Sequence, residues 1–160
     1  MGIDYNNPDG NPIPDFGSYF GTYAANLKKY PGQQVHFELG RSIVGQCGSL
    51  ITRVTYVKEG TCKKFVIVDA GMNDLVRPAL YQAYHEIDNL TSNSNAESYD
   101  IVGPICESSD VFAKERMLPA TKRGDILAIR SAGAYGEAMA FGYNCRELAK
   151  AYLSTDLVEQ

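Results

Sequence analysis

Apolar positions change their period partway along this chain, and the change divides it. Phe16, Tyr19, Phe20, Tyr23, Leu27 and Tyr30 recur every three or four residues, the spacing of one helix face. Asp15 stands where an N-cap belongs, and Pro31-Gly32 ends the run. Pro8, Gly10, Pro12 and Pro14 predict a loop over residues 3 to 14. After the helix, Val35-His36-Phe37-Glu38 predicts a short strand. Beyond Arg41 the period becomes two. Leu50, Thr52, Val54 and Tyr56 alternate with Ile51, Arg53, Thr55 and Val57. Glu59-Gly60 supplies a turn and Lys64 to Val68 returns, which predicts a hairpin. Tyr84 to Leu90, Tyr99 to Val102 and Asp125 to Arg130 predict further strands, and Thr91 to Asn95 a solvated loop. Val111 to Arg116 reads as a short helix. The expected fold is therefore mainly β with some α. A Greek-key-like antiparallel β-barrel or sandwich follows the last helix and strand of a (β/α)₈ barrel. Residues 1–41 would be the barrel remnant and residues 42–160 the β-domain.

Composition narrows the function. A chain of 160 residues can bury one sizeable core. Fifteen Lys and Arg against nineteen Asp and Glu give a net charge of −4, which argues against a nucleic-acid surface. The longest apolar run falls well short of the roughly 20 residues that span a bilayer, so no membrane partner is expected. Met1 to Tyr5 carries neither a basic nor an apolar leader region, so a cytoplasmic protein with reduced thiols is expected. Cys47, Cys62, Cys106 and Cys145 form no CxxC pair. Asp69, Asn73 and Asp74 lack the spacing of a calcium loop and read as turn contacts, so no metal is expected.

Three segments carry candidate chemistry. Gly103-Pro104-Ile105-Cys106-Glu107-Ser108-Ser109-Asp110 places a thiol beside a carboxylate just past a Gly-Pro turn. A free Cys after an apolar strand is by default a small buried hydrophobe. Glu38-Leu39-Gly40-Arg41 joins an acid, a glycine and a permanently charged fork. Arg77 and Tyr81 stand four apart around Pro78, one helical turn, where a guanidinium and a phenol could clamp one carboxylate.

With Val68-Asp69-Ala70-Gly71-Met72-Asn73-Asp74-Leu75 and Gly133-Ala134-Tyr135-Gly136, these segments resemble, in order and spacing, the C-terminal part of the diaminopimelate decarboxylases. The resemblance runs from Gly2 to about Thr155. That family uses pyridoxal 5'-phosphate and shares its fold type with alanine racemase and ornithine decarboxylase. The resemblance implies decarboxylation of meso-2,6-diaminopimelate, a small diamino diacid, to L-lysine and CO2. It also implies a homodimer whose active sites are shared between subunits. By the same resemblance Glu38 would face the cofactor's ring nitrogen, and Gly40 and Arg41 its phosphate or a substrate carboxylate. Tyr135 would touch cofactor and substrate. Arg77 and Tyr81 would bind the distal carboxylate, and Glu107 the distal ammonium group. Cys106 would be the catalytic proton donor, acting in the neighbouring subunit; a thiol is mostly protonated at neutral pH, which suits an acid. Asp110 would be no more than a helix cap.

Two departures stand out. Leu39 occupies a position usually held by Pro in the family. None of the eight lysines lies in the Tyr-Ala-x-Lys type motif that anchors the family's cofactor, so this chain alone is expected to be inactive. Related decarboxylases acting on ornithine, arginine or carboxynorspermidine generally carry Asp after the cysteine, whereas this chain has Glu107. A non-catalytic dimerisation or regulatory module is a further alternative, against which the retained site residues argue.

Overall fold

A computed structural model describes residues 1–10 and 14–157; Pro12, part of the expected N-terminal loop, lies outside the described residues. The first helix, α1, spans Phe16–Leu27. Asp15 caps it by accepting a 3.0 Å hydrogen bond from the Ser18 backbone N–H. It ends one turn before Tyr30, in turns leading to Pro31. No residue of α1 is buried. Its aromatic face packs against Phe37, whose ring lies edge-on to Phe20 at 4.8 Å and to Tyr23 at 5.0 Å.

Val35 to Glu38 does not form the expected strand. Among the described residues no neighbouring strand offers its backbone a ladder, and a strand exists only as part of a pair. The short helix α2 (Arg41–Val44) follows and leads into the sheet.

Among the described residues six strands form one sheet: β1 (Leu50–Glu59), β2 (Lys64–Val68), β3 (Ile87–Asn89), β4 (Ala96–Val102), β5 (Val111–Pro119) and β6 (Ile126–Ile129). Their order is β3-β6-β1-β2-β4-β5, and the outer strands β3 and β5 approach each other, so the sheet curls into an almost closed barrel. All neighbours are antiparallel except β2 and β4, which run parallel. A helix α3 (Arg77–Tyr81) lies between β2 and β3. Val54, Val66, Val68, Leu75, Ile87, Ile101, Leu127 and Ile129 fill the interior.

Two irregularities changed what the period-two reading implied. In β1 the pairing skips a residue between Val54↔Val68 and Tyr56↔Ile67. That bulge reverses the phase, so Tyr56 faces outward and Val57 packs against the core. Residues Val111 to Arg116 are strand, not helix. Phe112 and Leu118 both point inward, but an irregularity in the β4–β5 register, with Glu115 at φ 51°, breaks the alternation between them. The charged residues between the two anchors imitate a helical face, and pairing with β4 overrides that local preference.

Candidate active site

The candidate residues fall into three places. The first is a cleft of about 500 Å³ lined by Tyr19, Tyr23, Glu38, Gly40, Arg41 and Tyr135. A Cβ on Gly40 would stand 2.7 Å from the Tyr135 hydroxyl, so a side chain there would displace the phenol from the cleft. The approach is built by backbone. The N–H groups of Ile43 and Val44 donate to the Gly40 carbonyl, at 2.9 and 3.2 Å, which winds α2. Ala132 N–H donates to Gly48 O at 2.8 Å and Gly133 N–H to Gly45 O at 3.1 Å, tying α2 to the turn that carries Tyr135. Gly48 and Gly133 cross so closely that a Cβ on Gly133 would lie 2.0 Å from the Val44 carbonyl oxygen. Glu38 is exposed, and Arg41 Nε is buried with no hydrogen-bond partner among the described residues.

The second place is α3. Pro78 sits in its first turn, where a missing N–H costs nothing. Arg77 is 6% exposed, and its guanidinium carbon lies 5.8 Å from the centroid of the exposed Tyr81 ring, so the expected pair is brought together. No salt bridge engages Arg77 among the described residues, and its buried Nε has no partner there.

The third place is the loop from Gly103 to Asp110. Cys106 is exposed, not the buried hydrophobe that is the default for a free Cys, and Glu107 beside it is exposed too. Asp110, by contrast, is 3% exposed and organises the loop. Its carboxylate accepts from the backbone N–H of Ile105 at 2.7 Å and from that of Met72 at 2.7 Å. Its backbone N–H donates to the Glu107 carbonyl, and its carbonyl accepts from Gly103 N–H. A Cβ on Gly103 would fall 2.3 Å from the same carboxylate. Burial pushes the Asp110 pKa up; the Ile105 and Met72 N–H groups and Arg146 oppose that shift, and Asp74 adds to it. Asp110 therefore caps no helix: a strand follows it. It ties the cysteine loop to the turn that leads into α3.

Cys106, Glu107, Arg77 and Tyr81 do not line the cleft formed by Glu38, Gly40, Arg41 and Tyr135. The turn acids are structural. Asp69 accepts from the Thr52 hydroxyl at 2.6 Å and the Arg53 N–H at 2.8 Å, and Asp74 accepts from Gly71 N–H at 2.8 Å. Cys47, Cys62 and Cys145 are surface thiols. No helix among the described residues is long and apolar enough to cross a membrane.

Residues 11–133 match the family model described as the C-terminal sheet domain of pyridoxal-dependent decarboxylases. A diaminopimelate decarboxylase of Bacteroides thetaiotaomicron is 65% identical over 158 residues, covering 99% of this chain and 41% of its own length. The structure of diaminopimelate decarboxylase from Helicobacter pylori complexed with L-lysine superposes with a TM-score of 0.78 at 43% identity, over 92% of this chain and 36% of that one. A lysine/ornithine decarboxylase from Vibrio vulnificus, at 22% identity and a TM-score of 0.80 over 93% of this chain and 40% of that one, shares the fold. The chain thus spans well under half the length of the relatives it matches.

Proposed function

Because this chain belongs to the pyridoxal-dependent decarboxylases, as their C-terminal sheet domain, we propose that it is the C-terminal part of a diaminopimelate decarboxylase. The whole enzyme would remove CO2 from meso-2,6-diaminopimelate and release L-lysine. Arg77 carries this reading: a buried cation beside a tyrosine ring, with no anion supplied by the described residues, suits a substrate that brings its own second carboxylate. A diamine-forming enzyme acting on ornithine has no such group to offer. The name of the 65% identical relative agrees.

The residues present fit pyridoxal phosphate. The buried, unpartnered Arg41 Nε and the backbone opened by Gly40 suit an anionic ligand, and Glu38 offers a free carboxylate at the same cleft. When bound, the cofactor supplies an electron sink for the carbanion left by CO2. Glu38 would keep a proton on the ring nitrogen by electrostatic attraction. Gly40 and Arg41 would fix the phosphate edge or a substrate carboxylate, and the Tyr135 hydroxyl would orient cofactor and substrate together. Arg77 and Tyr81 would hold the distal carboxylate, while Glu107 would receive the distal ammonium group. Cys106 Sγ would hold the proton delivered to the reacting carbon.

Residues 1–41 then belong to the cofactor-binding barrel and residues 42–160 to the β-domain, in a cytoplasmic homodimer whose sites are shared. The half-covered aromatic face of α1 is consistent with a further neighbour supplied by the rest of the barrel. In the full-length enzyme, Arg77→Ala is expected to cost about 1.5–3 kcal/mol in kcat/KM for the diacid, the usual worth of a charged hydrogen bond. Substrates without the distal carboxylate should be affected much less. Equal damage to both kinds of substrate would mean that Arg77 serves only the fold.

A further inference from the structure

Three side chains with buried, unpartnered polar atoms gather at one aromatic ring. The Tyr5 ring lies edge-on to His85, with centroids 5.0 Å apart, and the Arg77 guanidinium carbon is 5.5 Å from the Tyr5 centroid. Tyr5 Oη, Arg77 Nε and His85 Nε2 are all shielded from solvent, and none has a hydrogen-bond partner among the described residues. His85 Nδ1 lies 2.8 Å from the Arg130 carbonyl oxygen. A carbonyl only accepts, so Nδ1 carries the hydrogen, and in the neutral ring Nε2 keeps a lone pair. Burial pushes the His85 pKa below its ordinary value; the Arg130 carbonyl opposes this and the Arg77 charge adds to it. The cluster therefore holds His85 Nε2 as a pure acceptor, Arg77 Nε–H as a pure donor, and the Tyr5 hydroxyl, which can do either.

The neighbouring carboxylates are already taken. Glu86 pairs with Arg116, whose other nitrogen donates to the His85 carbonyl at 3.2 Å. Asp9 and Asp88 pair with Arg130. Arg77 is left between two tyrosine faces, Tyr5 and Tyr81, with a neutral imidazole near it instead of an acid. An internal carboxylate would neutralise the guanidinium; the Tyr5 ring face, with a neutral imidazole against that ring, leaves its charge uncommitted.

We propose that Tyr5 and His85 are positioning residues for Arg77: they hold the guanidinium so that its terminal nitrogens face the carboxylate of an amino-acid ligand. They thereby set the preference for L-lysine-like over plain diamine ligands. This inference rests on the reading that Arg77 meets the distal carboxylate.

The test uses full-length holoenzyme and two probes, L-lysine and cadaverine, which is L-lysine without its carboxylate. Calorimetric titration reads their affinity, and the absorbance of bound cofactor reports whether the pocket is intact. His85→Asn keeps a donor for the Arg130 carbonyl but removes the acceptor at the Nε2 position; Tyr5→Leu removes the ring. Each is expected to weaken L-lysine about five- to tenfold, the worth of a desolvated cation–π or buried polar contact. Cadaverine affinity and cofactor absorbance should stay as in the parent. His85→Gln, which restores an acceptor, and Tyr5→Phe, which keeps the ring, should recover most of the loss. Unchanged L-lysine binding in both primary variants overturns the proposal. So does an equal loss for both ligands, or a loss of cofactor without recovery in the Gln and Phe variants. If Tyr5→Leu does not retain cofactor, the His85→Asn and His85→Gln pair decides alone. Arg77→Gln separates the two levels. If it does not discriminate between the ligands, the carboxylate clamp itself is wrong; if it does while the His85 and Tyr5 variants do not, only the positioning role fails.

Discussion

The carboxylate of Asp110 fixes a thiol four residues away by gripping the backbone on either side of a gap in sequence. Asp110→Asn would turn one acceptor oxygen into a donor facing a buried N–H, a penalty of about 1–3 kcal/mol. The expected result is a kcat about tenfold to hundredfold lower in the full-length enzyme. Alkylation of Cys106 by iodoacetamide should be faster; steady-state kinetics and a labelling time course check the two effects. The Cys106-Glu107 pair was legible in the sequence because its neighbours are local. The anchoring role of Asp110 was not, because one of its two backbone donors comes from Met72, far back in the chain. Tyr5 and His85 were hidden for the same reason. His85 also makes a pH prediction. Its folded pKa lies below the ordinary 6.5, so as pH falls through that region the unfolded chain gains a proton that the folded one refuses. Its contribution to stability is complete above that region and is lost on acidification. Thermal unfolding of the full-length enzyme at about pH 7.5 and about pH 5.5 should show a lower midpoint at acid pH, with a smaller drop in His85→Gln.

At the scale of elements, position depends on where backbones can cross. Gly48 and Gly133 let α2 and the Tyr135 turn meet, and a methyl group on Gly133 would be driven into the Val44 carbonyl. Gly133→Ala should destabilise the enzyme by about 1–3 kcal/mol, as overpacking does, and weaken cofactor binding as well. Gly142→Ala, where a Cβ meets nothing within 4 Å, should change neither by more than about 0.5 kcal/mol. Chemical denaturation and cofactor titration measure both. The hairpin of β1 and β2 and the last strand were readable because their apolar residues recur locally. The bulge at Tyr56 and the irregular β5 were not. Their phase is set by partners across the sheet, and a period-two count cannot register an inserted residue. The segment from Val35 to Glu38 has strand-like composition, but composition supplies no neighbour to pair with.

For the whole molecule, the separation of the candidate residues bears on subunit organisation. Cys106 and Glu107 lie outside the cleft of Glu38 and Arg41, which suits a site completed by a second copy. Mixing full-length Cys106→Ala subunits with subunits lacking the cofactor lysine tests this directly. If the thiol acts across the interface, random pairing restores about a quarter of the sites under two-fold symmetry. If it acts within its own chain, the mixture stays as inactive as either variant alone. Decarboxylation assays after subunit exchange give the answer. The sequence carried the family resemblance across nearly the whole chain, since motif order survives without any knowledge of contacts. It could not show how the motifs divide among three places, because that division follows from the curl of the sheet.

The strand order has a consequence during synthesis. β1 ends at Glu59, but its partner β6 begins only at Ile126. At about 5–20 residues per second, a ribosome would leave that side of β1 without its partner for roughly several seconds. During the wait, the edge from Leu50 to Arg53 presents open N–H and C=O groups and the apolar Ile51, a template for any other unpaired strand nearby. A translational pause placed after β5 would lengthen that exposure, and slow codons there should lower soluble yield while leaving the purified enzyme unchanged.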